Sequence, residues 1–281
     1  MRKNYRISDL KDYINWVYFF HAWSLPQQSE ESKHLFDEAQ KMLQRLQPYV
    51  KVKTVVELMP AWSEGDDIVV QPMRPCECGQ SHPCGEPIRL PMLRQQVPGK
   101  DGMCHCLSDF IRPHSAMRQD KIGIFATSTS IDVHKTFPDD DYSQMLLQTL
   151  ADRLAEAGAE RLHEEVRKTL WGYAPNEQLT MAELHQEKFQ GIRPAVGYPC
   201  LPDISINFLL DKLIGFKSIG VTLTTSAMMQ PHASVSGLMI SLPQAHYFAV
   251  GKIGPDQLAD YARRRQLPPE EIHKYISTID I

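Results

Sequence analysis

The segment Gly191-Ile192-Arg193-Pro194-Ala195-Val196-Gly197-Tyr198-Pro199 gathers residue types that hold a small charged ligand. Its two prolines fix φ, and Gly197 permits positive φ or a close backbone approach. Arg193, at the head, offers a planar fork suited to a carboxylate. A stiff, open loop of this kind presents backbone groups to a small zwitterion. The same residues also suit an ordinary surface turn with a solvated arginine. A second cluster comprises Cys76, Cys78, Cys84 and Cys104, with His82 and His105 nearby. Thiolates and imidazoles bind zinc, but a CxC pair followed by five residues and a cysteine is not the usual CxxC spacing. Free thiols are therefore the expectation over a structural metal. The sequence contains no phosphate-binding glycine loop, no nucleophile-elbow serine and no HExxH helix. It also lacks the glycine-rich first turn of a Rossmann methyltransferase.

The elements that must position these groups follow from periodicity. Ser8-Asp9 caps a helix in which Leu10, Tyr13, Ile14 and Val17 recur at helical spacing. Leu35, Ala39, Met42, Leu43 and Leu46 repeat the pattern. Val52 to Met59 and Ile68-Val69-Val70 flank a Ser-Glu-Gly-Asp-Asp turn and read as a hairpin. Residues 72–91, rich in Pro, Gly and Cys, read as a loop or insertion. Ile122 to Thr127 is a short strand. Asp139 to Tyr173 is the longest helical stretch, with Leu147, Leu150, Leu154, Ala155, Leu162, Val166 and Leu170 on one face. Ile204 to Leu213 reads as helical. Ser234 to Leu242 and His246 to Ile253 read as paired strands. Pro255 to Arg265 and Pro268 to Ile276 read as helices with proline in the first turn. Helices and strands mix without a βαβ rhythm, which predicts an α+β fold.

The chain has 281 residues, 42% hydrophobic and 23% charged, enough for one large core or two small ones. We expect a single domain over 1–281 with the 72–91 segment as its irregular part. A net charge of −4 predicts no general attraction to nucleic acid or to an anionic membrane. No apolar run has the length of a bilayer span, and no signal-peptide pattern follows the basic start. A cytoplasmic location is the expectation, and Met1 with immediate entry into the first helix fits an independent gene.

Arg-Pro-Ala-x-Gly-Tyr-Pro resembles the ligand loop of the activation domain of cobalamin-dependent methionine synthase. Further segments fall in that family's order. Ala151–Ala157 resembles its long helix, and Trp171–Glu177 the segment after it. Ala233–Gly237 and His246–Val250 resemble its late hairpin. Asp256-Gln257 with Asp260–Arg264 resembles its final helix. Trp16-x-x-Phe19-Phe20, Gly65–Ile68, Leu93–Gln96 and Cys106-Leu107-x-Asp109-Phe110 match toward the N-terminus. The likeness covers nearly the whole chain and is strongest from about residue 139 onward.

The resemblance implies a twisted antiparallel sheet with flanking helices. It implies S-adenosylmethionine as the ligand, and rescue of oxidised cobalamin carried on a partner chain. The implied partners are the cobalamin-binding module of methionine synthase and flavodoxin or a similar reductase. Arg193 is matched to the ligand's carboxylate, and Ala195, Gly197 and Tyr198 offer backbone groups. Glu156 and Glu187 match acidic positions that balance the ligand's cations, and Tyr247 with Phe248 flank it. Outside the resemblance, Glu156 and Glu187 suit a solvated helix face and Tyr247 suits strand packing. Asn15 stands where the family carries a ligand-contacting aspartate, and Tyr18 where it carries proline. Asparagine keeps an acceptor but loses the charge, which implies a weaker hold on the ligand. Two alternatives remain on this reading: a non-catalytic S-adenosylmethionine-binding module, and a zinc-binding cysteine-loop protein on the same fold.

Overall fold

The computed structural model describes residues 1–75, 81–116, 119–129, 131, 136 and 140–276. The chain opens with strand β1 (Arg2–Arg6) and enters helix α1 (Ile7–Leu10). The helix expected through Val17 breaks here. A 3-10 turn (Lys11–Tyr13) intervenes, and α2 (Trp16–Ala22) starts afresh. The cause is local: Asn15 adopts an extended conformation and its side chain accepts from Val17 N, capping a new helix. Helix α3 (Glu30–Leu46) follows, capped by Ser29.

Strands β2 (Lys51–Glu64) and β3 (Asp67–Val70) form the expected hairpin, with Glu64 opposite Asp67. The segment expected as a loop over 72–91 carries a short hairpin, β4 (Met73–Pro75) with β5 (Ser81–Pro83). It also carries β6 (Ile88–Pro91), which pairs with β3. The alternation of Ile88 and Leu90 outweighs the surrounding proline. Strand β7 (Asp120–Thr129) is followed by the long helix α4 (Asp141–Glu165), capped by Asp140 and continued by one π-helical turn, Val166–Leu170. Helices α5 (Met181–His185) and α6 (Ile206–Ile214) precede the small strands β8 (Thr222–Leu223) and β9 (Met229–Gln230). Strand β10 (Ser234–Met239) and helices α7 (Pro255–Arg265) and α8 (Pro269–Tyr275) complete the chain.

The main sheet runs β10-β7-β2-β3-β6, with β1 beside the first half of β2, and every pairing is antiparallel. Side chains alternate between two buried faces. Val52, Val56, Phe125 and Met239 join the core beneath α3 and α4. Val55, Met59, Ile122, Ile124, Leu238 and Ile240 join the core beneath α6. A third cluster unites Leu93, Val250 and Ile253 with α7 and α8.

The expected pairing of Ser234–Leu242 with His246–Ile253 is not formed. Strand β10 pairs with β7 on one edge, and its other edge is taken by residues 192–196. Ile192 N donates to Ile240 O (2.9 Å), Leu238 N to Pro194 O (2.9 Å) and Val196 N to Ser236 O (2.9 Å). With those groups satisfied, β10 has no edge left for residues 246–253.

Candidate functional site

The long helix α4 sets one wall of the site. Its apolar face packs on the sheet, while Arg153, Glu156 and Glu160, spaced three and four residues apart, share another face. The opposite wall is the loop that leaves the edge of β10. At Gly237 an added Cβ would meet Pro194 O at 2.2 Å, so only glycine lets the loop lie this close. At Gly197 the backbone takes φ +91, turning the chain so that its N–H reaches Leu201 O at 2.8 Å.

Between these walls lies a cavity of 320 Å³, within the usual size of small-molecule sites. Five of the residues matched to ligand binding line it: Asn15, Glu156, Glu187, Arg193 and Tyr198. Tyr13, Tyr18, Arg153, Glu160, Leu184 and His185 complete the lining. The sequence reading passed over Glu160, although its position one helical turn beyond Glu156 carried the signal.

Arg193 is the centre of charge. Its Nη2 lies 2.6 Å from Glu160 Oε2 and its Nη1 4.0 Å from Glu156 Oε2. The guanidinium carbon sits 5.8 Å from the Phe125 ring centroid. Burial opposes the charge, but Glu160, Tyr247 and Glu156 outweigh it and hold the group protonated, above its ordinary range. Tyr198 donates its hydroxyl to Glu156 Oε1 at 2.6 Å, and burial followed by the Glu156 charge pushes its ionisation up. Glu187 stands at the rim in a left-handed conformation (φ 57). The residue as a whole is exposed, yet it lines the cavity. Loss of water there, and then Glu160, raise its carboxyl above the usual carboxylate range, against the pull of Arg193. Asn15 reaches the cavity while its Oδ1 accepts from Val17 N at 3.1 Å.

The remaining matched residues lie elsewhere. Tyr247 is behind the cavity, where its hydroxyl accepts the backbone N–H of Arg193 at 2.9 Å. Ala195 is buried against β10, and its carbonyl accepts from Tyr198 N (3.2 Å). The amides of Gly197 and Tyr198 are thus both bonded within the loop. Phe248 does not line the cavity. It packs with His105, Phe110 and His246, because residues 246–253 peel away from β10. Of the cysteine cluster, Cys76 and Cys78 lie outside the described residues. Cys84 and Cys104 are half-exposed free thiols. Among the described residues no group of three or more His, Cys, Asp or Glu is arranged to hold a metal.

Two guanidiniums, Arg153 and Arg193, with three carboxylates around them suit a ligand that carries both signs of charge. The lining offers no activated nucleophile, and His185, its one imidazole, places Nε2 3.3 Å from the Tyr13 carbonyl.

Residues 6–266 match the family described as vitamin B12 dependent methionine synthase, activation domain. A crystal structure of the MetH reactivation domain bound to AdoHcy superposes with a TM-score of 0.87 at 36% sequence identity, covering 100% of this chain and 90% of that one. The chain belongs to the activation-domain family of vitamin B12-dependent methionine synthase.

Proposed function

We propose that this chain binds S-adenosylmethionine and supports the reductive methylation of cob(II)alamin to methylcobalamin in methionine synthase. The observation that carries this reading is the cavity between α4 and the Arg193 loop, in which Arg193 faces Glu156, Glu160 and Glu187. The zwitterionic end of S-adenosylmethionine and its sulfonium need such a mixed set. Arg193 takes the carboxylate, by a charge-assisted pair worth about 1.5–3 kcal/mol. The three glutamates balance the ammonium and the sulfonium. The buried Oε1 of Glu160 has no partner among the described residues, so the cavity has spare capacity for a cation or donor. The solved relative was crystallised with AdoHcy, the demethylated form of the same molecule.

Cobalamin held on a partner chain would supply the metal-centred bond making. This chain's residues hold the ligand, set its charge environment and present its methyl group at the mouth, where Tyr198 is 45% exposed. The reaction consumes one electron and one methyl cation per cob(II)alamin and releases AdoHcy. That balance requires a cobalamin-binding module and a one-electron donor as partners, and the family resemblance points to a donor of the flavodoxin class. Cytoplasmic residence is supported by the free thiols of Cys84, Cys104, Cys106 and Cys200. No helix among the described residues is long and apolar enough to cross a membrane.

The test is reconstitution. This chain is mixed with cobalamin-loaded methionine synthase lacking its own activation module, a low-potential reductant and S-adenosylmethionine labelled in the methyl group. Label is expected on cobalamin. Binding of S-adenosylmethionine without transfer overturns the reactivation role, and absence of binding overturns the ligand itself.

A further inference from the structure

The face of α4 that carries Glu156 and Glu160 continues inward through His163 to Arg167 in the π-helical turn. His163 and Arg167 are both 0% exposed. Arg167 grips Glu177 with two parallel bonds, Nε to Oε2 at 2.8 Å and Nη2 to Oε1 at 2.7 Å. Its guanidinium carbon lies 4.4 Å from the Phe189 ring centroid. His163 meets the same ring edge-on, with centroids 4.9 Å apart and planes at 84°. Tyr173 places its hydroxyl 3.3 Å from His163 Nε2. Phe189 thus touches two polar side chains, with the Arg167 guanidinium over its ring and His163 packed edge-on against it.

Phe189 is also where the ligand loop begins. Four residues on stands Arg193, and the link between them has little freedom. Gln190 Nε2 donates to Ser241 O at 2.9 Å, Ile192 exchanges bonds of 2.9 and 3.0 Å with Ile240, and Arg193 N donates to Tyr247. Phe189 and the Arg193 backbone are therefore held in one fixed register along the edge of β10.

Stability alone does not account for a buried ion pair at this place. Apolar side chains of similar volume are often neutral or stabilising in such positions. The run has a second unusual property. Glu160 Oε1, His163 Nδ1, Arg167 Nη1 and Arg193 Nε are all buried without a hydrogen-bond partner among the described residues. Buried polar atoms are ordinarily paired, and their concentration along one run marks a network kept for something other than its own bonding. His163 feels the charge of two cations, Arg167 and Arg193. Burial first, then Arg167 and Arg193, keep its ring neutral.

We infer that Arg167, braced by Glu177, is a positioning residue for Arg193: it clamps Phe189 and so aims the guanidinium at the carboxylate of the ligand. This rests on the assignment of the ligand carboxylate to Arg193 made above. Arg167 touches no ligand, and its effect is confined to the part of the ligand that Arg193 reads.

The test uses two probes, S-adenosylmethionine and its decarboxylated analogue, which keeps the sulfonium, the amine and the adenosine. Both are titrated by calorimetry into the wild-type chain and into the Arg167→Met, Glu177→Leu double variant, whose melting transition reports folding. The variant is expected to lose about tenfold in affinity for S-adenosylmethionine and little for the analogue. Equal loss for both probes, or loss for neither, overturns the inference. If the wild-type chain binds the two probes equally, the carboxylate assignment itself fails and the inference falls with it. Arg167→Lys keeps a cation beside Glu177 but loses the flat stack on Phe189. The same selective loss is expected there, and it decides the matter if the double variant does not fold.

Discussion

Glu160 holds Arg193 through a 2.6 Å contact between Oε2 and Nη2, with the two side chains 15% and 10% exposed. Such a pair contributes mainly by not being broken, because either charge left alone is costly. Arg193→Met should therefore lower the unfolding free energy by about 3 kcal/mol, by stranding Glu160. Adding Glu160→Met should restore most of that loss, while affinity for S-adenosylmethionine stays low in both variants. Denaturant unfolding and calorimetry measure the two effects separately. A double variant no more stable than Arg193→Met would contradict the pairing.

Tyr247 bears on the site through one atom. Its hydroxyl accepts the Arg193 N–H at 2.9 Å, and it does not line the cavity. Tyr247→Phe leaves that amide without its acceptor, at a cost of about 1–3 kcal/mol in unfolding free energy. The base of Arg193 is then less fixed, so S-adenosylmethionine affinity should fall along with stability. A variant that loses stability but binds with an unchanged dissociation constant would show that Tyr247 does not position Arg193.

Local patterns made most elements legible in the sequence. The β2–β3 hairpin, the long helix α4 and the proline-started helices α7 and α8 all carry signals within a few residues. Pairing across the chain was less legible. Residues 192–196 take the edge of β10 that the pattern alone assigns to residues 246–253, because strand periodicity says which face is buried and not which neighbour is bonded. Phe248 shows the consequence. Adjacent to Tyr247, it was grouped with the ligand, but the chain after Tyr247 leads it into a ring cluster with His105 and Phe110. Glu160, Arg167 and Glu177 carry no local signal that sets them apart from other charges in the sequence. Only the fold, by burying the inner end of α4, brings Arg167 and Glu177 together.

The neutral, fully buried His163 sets a pH dependence. Its ring is held well below the ordinary 6.5 by burial, then by Arg167 and Arg193. Below pH 6.5 the unfolded chain takes up a proton there that the folded chain refuses, so the unfolded state binds more protons. Stability is full above pH 6.5 and declines as the pH falls from that value toward the depressed folded one. Unfolding free energies measured between pH 7.5 and 5 should fall in the wild type, with a slope of about 1.4 kcal/mol per pH unit from this group. His163→Gln, which keeps a partner for Tyr173 without titrating, should flatten that slope. An equal slope in both proteins would assign the acid sensitivity to other groups.

Asn15 sets the last expectation, because it serves the helix and the cavity at once. Its Oδ1 caps α2 through Val17 N at 3.1 Å, and the same side chain lines the cavity. Aspartate caps as well as asparagine does, and its charge is favoured at a helix N-terminus. Asn15→Asp should therefore leave the helix intact. It also adds a carboxylate to a cavity that already holds Glu156, Glu160 and Glu187, which raises the cost of the empty site and the reward for filling it with a cation. We expect S-adenosylmethionine to bind about fivefold more tightly, the equivalent of roughly 1 kcal/mol for a charge-assisted contact. AdoHcy lacks the sulfonium charge and should gain less. An unchanged dissociation constant for both, with α2 still capped, would mean that position 15 faces neither a cation nor a donor of the ligand. The departure from aspartate would then carry no weight for affinity.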